Sequence, residues 1–416
     1  MEVESLPNGR NASMIPRRAL LAAAAAAPLA RPARAQAGTV RIGVLNDQSG
    51  VYRDISGPTS VACVRQAVED GARGLQVEVL AGDHQNKPDI GASIARQWID
   101  RDGVDMIIDV ANSGVALAIN GVCKEKDRVY INSTGATADL TGPACAATTV
   151  HWTYDTWMLA HSTGAAMVGA GGDTWFFVTA DYAFGTALER DTTNFVKQAG
   201  GKVLGSVRHP FPGNTDFSSF LLQAQASRAK VVGICNAGTD TVNTIKQAAE
   251  FGLTRSGVKL AGLLVFLNDV HALGLEAAQG LVLTESFYWD LNDRTRAFTR
   301  RVLPKTGGAY PAMSHAGCYA GALHYLKAVA DMGAAEAKKS GAATVARMKA
   351  MPTDDDAFGA GSIRADGRKI HPVYLFEVKK PGESRAPWDY YKLIATTPAE
   401  QAFRPLNEGG CPLVRA

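Results

Sequence analysis

The sequence lacks an excess of charge of either sign once its first 37 residues are set aside. The whole chain contains 43 Lys and Arg against 40 Asp and Glu, and the first 37 residues contribute five arginines and two glutamates to these totals. The remaining chain therefore carries equal numbers of basic and acidic residues. Because a balanced surface produces no long-range field that would hold nucleic acid or an anionic membrane, we expect neither as a partner.

The sequence also lacks the familiar motifs of catalysis and of nucleotide or metal binding. It contains no G-x-S-x-G elbow, H-E-x-x-H pair, Walker loop or G-x-G-x-x-G fingerprint. The adjacent Asp83 and His84 and the acidic run Asp354–Asp356 do not have the ligand spacing of zinc or calcium sites, and we interpret both as solvated loops. We therefore expect no cofactor, no bound metal and no enzymatic activity.

Residues 1–37 have the pattern of an export signal. Arg17 and Arg18 precede the apolar run Ala19–Ala27, and small-residue sites follow at 33–35 and 35–37. The run has nine residues, whereas a membrane-spanning helix needs roughly 20. We expect a signal peptide that is cleaved near Ala35 or Ala37 and a mature protein in the periplasm.

The chain has only six cysteines, and none of their spacings matches a zinc site or a redox C-x-x-C motif. Cys63, Cys235 and Cys318 lie within apolar helix or strand patterns, which favours buried free thiols. The other three lie near predicted element ends: Cys123, Cys145 and Cys411. Since disulfides are allowed in exported proteins, we expect one bridge among these three, and the sequence does not choose the pair.

Residues 39–131 alternate between short apolar runs, typical of buried strands, and amphipathic stretches of helical length. An extended stretch at 148–154 interrupts this rhythm, which then resumes over 155–263. The alternation predicts βαβ units, and its restart predicts two doubly wound α/β lobes with parallel sheets.

The rest of the chain predicts how these lobes are connected. A second extended run covers 280–288, helices follow over 293–351, and antiparallel strands end the chain. We therefore assign 38–151 and 284–358 to lobe 1, and 152–283 and 359–416 to lobe 2. The chain then crosses between the lobes about three times, and three connecting strands form a hinge that can close over a ligand.

Polar residues follow four of the predicted strands, where doubly wound folds bind ligands. These segments are Asn112-Ser113, Ser133–Thr137, Asp181-Tyr182 and Asn236–Gly238. Ser113 as a helix N-cap would leave amides and a positive dipole end for a carboxylate. Each segment alone is as typical of an ordinary cap or turn, but two segments per lobe together favour a shared ligand site.

Several of these residues occur in an order and spacing that are similar to a known family. They are Ile42-Gly43 with Ser49-Gly50, Ser113, Ser133–Thr137 with Asp139-Leu140, Asp181-Tyr182 with Gly185, and Ile245–Ala249 with Gly252-Leu253. Over nearly the whole mature chain the sequence resembles the leucine/isoleucine/valine-binding protein family, the type I periplasmic solute-binding proteins of ABC transporters. The resemblance implies a hinged, two-lobed Venus-flytrap fold and a membrane permease as partner, and we expect a monomer.

The resemblance also implies roles for particular residues. Ser113 and the loop 134–137 would bind the ligand carboxylate, and Tyr182 would close over the ligand from the other lobe. Members that bind α-amino acids have an acidic residue after the strand matching 258–263, which pairs with the ligand ammonium. Here that place reads Leu263–Phe266. A buried ammonium without a counter-charge costs on the order of several kcal/mol, which disfavours leucine as the ligand.

We therefore favour a small acid without an amine and with an apolar body, such as an aromatic acid of the benzoate or cinnamate type. Aromatic residues near the predicted hinge suit such a body, although they are equally typical of core: Tyr52, Trp152, Tyr154 and Phe266. Asp240 is an alternative source of the missing carboxylate, which would restore an amino-acid ligand.

The predicted function is a periplasmic binding component that captures a small carboxylate by hinge closure. The candidate ligand-binding residues are Tyr52, Asn112, Ser113, Thr134, Gly135, Ala136, Thr137, Tyr154, Tyr182, Asn236 and Phe266. The alternatives are a protein that binds branched-chain or other hydrophobic amino acids, and a ligand sensor for a receptor system. An exported enzyme is disfavoured because the sequence offers no nucleophile–base pair.

Overall fold

The computed structural model describes residues 38–414, so the predicted signal peptide and its cleavage sites lie outside the described residues. Among the helices of the described part, none is long and apolar enough to cross a membrane.

The first sheet contains five parallel strands in the order β2-β1-β3-β4-β5. Their bounds are β1 Val40–Asn46, β2 Val77–Asp83, β3 Met106–Asp109, β4 Val129–Asn132 and β5 Thr149–His151. Strands β3, β4 and β5 are buried at every position. Burial on both faces is typical of a parallel sheet that is covered by helices, and it explains the continuous apolar runs of the sequence.

The second sheet contains four parallel strands in the order β7-β6-β8-β9. Their bounds are β6 Thr174–Ala180, β7 Lys202–His209, β8 Val231–Cys235 and β9 Lys259–Gly262. Both sheets thus share a doubly wound order in which the second strand lies outside the first. The predicted pair of parallel α/β sheets is confirmed.

Five further strands follow in the last third of the chain. They are β10 Val282–Glu285, β11 Ser362–Ile363, β12 Lys369–Ile370, β13 Val373–Val378 and β14 Tyr391–Thr397. Strands β10, β13 and β14 form an antiparallel sheet, and β11 pairs with β12. Strand β12 is too short to show in the sequence pattern and was not predicted.

Helices fill the connections between the strands. Their bounds are α1 Gly57–Gly71, α2 Pro88–Gln97, α3 Ser113–Glu125, α4 Thr156–Leu159, α5 Ala165–Gly169, α6 Ala183–Gln198, α7 Ser218–Ala226, α8 Thr239–Glu250, α9 Leu267–Leu273, α10 Leu275–Ala278, α11 Asp293–Val302, α12 Met313–Met332, α13 Ala334–Ala337, α14 Gly341–Ala350 and α15 Ala399–Ala402. Helix α12 packs against α1 and β3, so the chain returns to the first sheet after β10. The helices expected over 293–351 are present, and their last part is divided because Ser340 caps a new helix, α14.

The last 60 residues contact several distant parts of the chain. Nε2 of His371 lies 2.8 Å from the carbonyl oxygen of Thr153, which brings two connecting segments together. Arg404 Nη2 donates a hydrogen bond of 3.0 Å to the carbonyl of Ala138, beyond β4. This contact places part of residues 359–416, which were assigned to lobe 2, against the first sheet. The bounds of the two lobes stay a prediction.

One disulfide links the end of the chain to the first sheet's loops. Cys145 and Cys411 are bonded, with their Cα atoms 5.6 Å apart. The expected single bridge is confirmed, and the structure supplies the pair that the sequence left open. The other four cysteines are buried free thiols. This was expected for Cys63, Cys235 and Cys318, and Cys123 joins them.

Candidate functional site

The strand order of each sheet reverses direction at one point, and ligands of doubly wound folds bind outside the carboxyl ends of the strands there. In the first sheet this point lies between β1 and β3, and in the second between β6 and β8. The chain beyond these four strand ends supplies Tyr52, Ser113, Tyr182 and Ala237. All four residues line one cavity.

This cavity has a volume of about 10 Å³ and is lined by residues that follow strands of both sheets. Its ten lining residues are Tyr52, Ile55, Ala111, Ser113, Thr134, Tyr154, Tyr182, Phe184, Ala237 and Leu264. None of these side chains carries a charge. The cavity therefore combines an apolar wall with hydroxyl groups, which are the polar groups available to orient a ligand.

Two tyrosine hydroxyls meet across the cavity. Tyr52 follows β1 and Tyr182 follows β6, and their hydroxyl groups form a short hydrogen bond with each other. The rings of both stack on Phe211, with centroids 5.3 and 4.2 Å away. Burial raises the pKa of both phenols, so each keeps its proton. One of the two hydroxyl protons forms this hydrogen bond, so the other hydroxyl proton is free to donate to a ligand.

The carboxyl end of β3 is turned by an unusual backbone conformation. Asp109 has φ +88° and Val110 has φ +63°, values that side chains other than glycine adopt only when the surroundings enforce them. The Asp109 carboxylate accepts hydrogen bonds from Asn46 Nδ2 at 2.8 Å, from Ser56 Oγ at 2.9 Å and from Thr134 Oγ1. This network fixes the turn that leads to Ser113, and it occupies the hydroxyl proton of Thr134.

The expected role of Ser113 as helix cap is wrong, because Asn112 takes it. Asn112 Oδ1 accepts hydrogen bonds from the amides of Gly114 and Val115, at 2.9 and 3.1 Å. These amides are therefore not available to a ligand. Ser113 is the first residue of α3 instead, and its Oγ accepts from the amide of Thr137 at 3.1 Å. Among the residues that the structure describes, the Ser113 hydroxyl donates to no acceptor, so its proton is available within the cavity.

Most amides of the loop 133–137 are also occupied. The amides of Ser133 and Thr134 donate to the carbonyl of Asp109. The amide of Gly135 donates to Asn132 Oδ1, and the amide of Thr137 donates to Ser113 Oγ. Within residues 38–414 the amide of Ala136 donates no hydrogen bond, but Ala136 does not line the cavity. Gly135 is tightly packed, since a Cβ there would lie 2.6 Å from Asn132 Oδ1.

Two predicted residues support the cavity without lining it. Asn236 bonds to the side chains of Thr241 and Thr244, at 2.8 and 3.0 Å, and so fixes the end of β8 next to Ala237. Phe266 packs edge-on against Tyr154, with centroids 5.7 Å apart. Trp152, another aromatic singled out in the sequence, is fully buried core.

The sequence interpretation missed five lining residues: Ile55, Ala111, Phe184, Ala237 and Leu264. Apolar residues at a cavity wall have the same sequence pattern as core residues, so no signal distinguishes them. Two of the five, Ala237 and Leu264, could have been included among the candidates, because they belong to the segments Asn236–Gly238 and Leu263–Phe266 that the sequence pattern had pointed to.

Asp240 is a buried carboxylate beside the tyrosine pair. It is 1% exposed, and its Oδ2 atom has no hydrogen-bond partner within the described residues. Burial raises its pKa to about 7. Its charge in turn contributes to the raised pKa values of Tyr52 and Tyr182, and Asp240 is not among the lining residues of the cavity.

Gly238 lies where α8 meets the loop after β1, and replacing it with alanine should weaken ligand binding about tenfold or more. Its φ is +61°, and an added Cβ would overlap the carbonyl oxygen of Val51 and lie 3.0 Å from the Tyr52 ring. The variant should therefore fold but fail to bring these two segments together. Calorimetric titration would measure the change in affinity, with a tenfold loss corresponding to about 1.4 kcal/mol.

Gly252→Ala is the matched control for this variant. Gly252 has φ +69° at the other end of α8, and its added Cβ would meet only the Arg255 side chain, at 3.5 Å. It brings the same backbone strain without the clash. Equal affinity losses in both variants would contradict the role of Gly238.

Comparison with known proteins places this geometry in a family. A family model described as periplasmic binding protein matches residues 39–383, and no curated protein matches the chain. A periplasmic binding protein from Burkholderia mallei is 50% identical, over 91% of this chain and 100% of its own, with a TM-score of 0.87. A branched chain amino acid ABC transporter periplasmic ligand-binding protein from Burkholderia xenovorans is 40% identical, over 90% and 99%, with a TM-score of 0.78.

More distant structures share the fold. A solute-binding protein of an ABC transporter from Rhodopseudomonas palustris, solved with benzoate, is 19% identical, over 90% of this chain and 100% of its own, with a TM-score of 0.77. The resemblance, the two-lobed Venus-flytrap fold and the transport role inferred from the sequence are thus confirmed at the level of the family. The chain belongs to the periplasmic binding proteins of the leucine/isoleucine/valine-binding type, the solute-binding components of ABC transporters.

Proposed function

We propose that this protein captures a small carboxylate with an apolar body in the cavity between its lobes and delivers it to a membrane permease. The observation that carries the proposal is the cavity itself. Ser113 lines it from the end of β3, and Tyr182 lines it from the end of β6 in the other sheet. A ligand in the cavity would contact both lobes at once.

Two uncharged donors that line the cavity are available for the carboxylate. They are the hydroxyl of Ser113 and the free proton of the pair formed by Tyr52 and Tyr182. Hydrogen bonds to a charged group contribute about 1.5–3 kcal/mol each, so two of them hold a carboxylate without a basic residue. Thr134 supports this arrangement indirectly, because its hydroxyl donates to Asp109.

The wall of the cavity selects an apolar body. Ile55, Ala111, Phe184 and Leu264 line it, and Phe266 supports Tyr154 from behind. The cavity has a volume of about 10 Å³, far below the ~300–1,000 Å³ that is typical of ligand pockets. The lining residues must therefore move apart to admit a ligand.

Capture works through a shift between open and closed forms. A ligand that touches both lobes binds the closed form more tightly and raises its population, by as much as the difference in affinity allows. No bond is made or broken in this mechanism. The family consists of binding proteins, which agrees with the absence of a nucleophile–base pair in the sequence.

Two ligand classes fit the cavity. Aromatic and other apolar acids without an amine fit because the segment Leu263–Phe266 is apolar where, by the resemblance, amino-acid binders have an acid, and Leu264 of this segment lines the cavity. Hydrophobic amino acids are the second candidate, favoured by the buried Asp240 and by the relative from B. xenovorans that is described as a branched chain amino acid binder. The relative from Rhodopseudomonas palustris that was solved with benzoate shares the fold alone with this chain.

A thermal-melt panel tests the proposal. Benzoate, 4-methylpentanoate, leucine and phenylalanine would each be added, with the amide benzamide as the uncharged control. At 100 times its Kd a ligand stabilises the folded protein by about 2.7 kcal/mol, which a melt detects easily. We expect at least one acid to raise the melting temperature while benzamide does not. A panel in which benzamide acts as strongly as the acids would contradict carboxylate recognition.

A further inference from the structure

We propose that Phe211 is a positioning residue for ligand capture. Its ring holds the hydroxyl pair of Tyr52 and Tyr182 in place and stabilises the closed form, although Phe211 is not among the residues that line the cavity. The inference rests on the proposed function, since Phe211 acts through two residues of the proposed site. It adds a source of affinity that does not depend on which acid is bound.

The segment that carries Phe211 is fixed to the second sheet. It follows β7, whose last residue, His209, accepts a hydrogen bond of 2.9 Å at its carbonyl from the amide of Asp181. This bond joins the end of β7 to the end of β6. Further along the segment, Gln247 Nε2 of α8 donates to the carbonyl of Thr215 at 2.9 Å. The ring of Phe211 therefore has a defined position beside the ends of β6 and β7.

The two tyrosine rings share Phe211 as a neighbour. Its ring centroid lies 4.2 Å from that of Tyr182, with 14° between the ring planes, and 5.3 Å from that of Tyr52, with 26°. Both contacts are stacked, so the plane of Phe211 sets the planes of both tyrosines. A binding site needs such support, because its side chains keep a productive geometry only when packing locks their rotamers. The common neighbour thus brings the two hydroxyl groups together.

The two stacked contacts differ in what they join. Tyr182 and Phe211 follow neighbouring strands of the second sheet, β6 and β7, so their contact is retained when the lobes move apart. Tyr52 follows β1 of the first sheet, so its contact with Phe211 crosses between the sheets. Opening the cavity to admit a ligand would break this crossing contact, and closure would form it again. It therefore stabilises the closed form selectively.

The crossing contact should raise the affinity for every ligand by the same factor. The apparent Kd of a two-state binding protein depends on the population of its binding-competent form, whichever ligand is added. A stacked aromatic pair changes such an equilibrium by up to about tenfold. The lining hydroxyls act differently, because they contact the ligand and discriminate among its chemical groups. Phe211 therefore contributes affinity, and the lining residues determine specificity.

The first experiment compares three single variants with the wild-type protein. Calorimetric titrations with benzoate, 4-methylpentanoate, L-leucine and L-phenylalanine would measure affinity, and stopped-flow mixing would separate association from dissociation. Phe211→Leu removes the aromatic face, whereas Phe211→Tyr keeps it. The matched control is Phe195→Leu, the same change at a half-buried ring of α6 that packs on Trp157 and His161 instead.

Phe211→Leu should weaken the binding of each acid that the wild-type protein binds by about tenfold. The factor should be the same for each of these acids. It should come from faster dissociation, since the open form that first meets the ligand is unchanged. Phe211→Tyr and Phe195→Leu should bind within about threefold of the wild-type protein.

A second experiment tests whether Phe211 acts through the Tyr52 ring. Phe211→Leu would be combined with Tyr52→Phe, which keeps the ring, and with Tyr52→Leu, which removes it. The loss of affinity caused by Phe211→Leu should remain about tenfold beside Tyr52→Phe and fall below about threefold beside Tyr52→Leu. Circular dichroism would verify that each variant folds, and the rescue by Phe211→Tyr is decisive even without the Tyr52 variants.

Several results would overturn the inference while the proposed function stands. Phe211→Leu could bind as tightly as the wild-type protein, or Phe211→Tyr or Phe195→Leu could lose as much affinity as Phe211→Leu. A loss that persists in full beside Tyr52→Leu, or that differs strongly among the acids, would contradict it equally. If none of the four acids binds to the wild-type protein, the proposed function itself fails, and the inference fails with it.

Discussion

Replacing Cys145 and Cys411 together with serine should lower the free energy of unfolding by about 2–5 kcal/mol. The bridge joins residues 266 positions apart, and closing so long a loop in the unfolded chain gives roughly 5 kcal/mol in the chain-entropy model. Thermal or denaturant melts under oxidising conditions would measure the loss. Reduction of the wild-type protein should reproduce it.

The same variant should also weaken ligand binding a few-fold. Arg404, seven residues before Cys411, donates to the carbonyl of Ala138, which directly follows the loop 133–137. The end of the chain therefore holds this loop in place. Cys123→Ala is the control, since it changes a buried free thiol outside the bridge. A double serine variant that melts like the wild-type protein would contradict a stabilising role for the bridge.

The double variant Ser113→Ala with Tyr182→Phe should reduce ligand affinity roughly 100-fold or more. Each change removes a hydroxyl that lines the cavity, one from each lobe, and a hydrogen bond to a charged carboxylate is worth about 1.5–3 kcal/mol. Both changes remove a single oxygen and leave the apolar shape intact. Calorimetric titration with the ligand found in the melt panel would measure the loss.

Tyr325→Phe is the matched control for the tyrosine change. Tyr325 is a buried tyrosine of α12 that does not line the cavity. Its variant should bind ligand with wild-type affinity. If the double variant also binds within threefold of wild type, the carboxylate is held elsewhere and the proposed site is wrong.

The strand and helix order could be predicted because it depends on local periodicity. Strands such as Val40–Asn46 and helices such as Ser113–Glu125 follow the predicted alternation, since buried parallel strands are uniformly apolar and their covering helices are amphipathic. The short helices at 267–278 were missed. They lie in a mostly apolar stretch, where the pattern does not distinguish a helix from a buried strand.

The parts that sequence could not supply depend on distances across the fold. The choice of Cys145 and Cys411 as a pair needed the path of the last 60 residues, which no periodicity reveals. The exchange of roles between Asn112 and Ser113 has a similar origin, because both side chains are good caps and only the backbone geometry decides between them.

The candidate site was accessible from the sequence in part. Five predicted residues line the cavity, namely Tyr52, Ser113, Thr134, Tyr154 and Tyr182. They were found because polar or aromatic residues after parallel strands stand out from the apolar background. The unpartnered state of Asp240 could not be predicted, since it depends on what its neighbours bond to instead.

A crystal structure of the protein with its bound solute would test the central claim most directly. The account predicts a carboxylate oxygen about 3 Å from Ser113 Oγ, with Tyr182 closing over the same molecule from the other lobe. A solute bound outside the cavity lined by these two residues, or one that touches a single lobe, would contradict it.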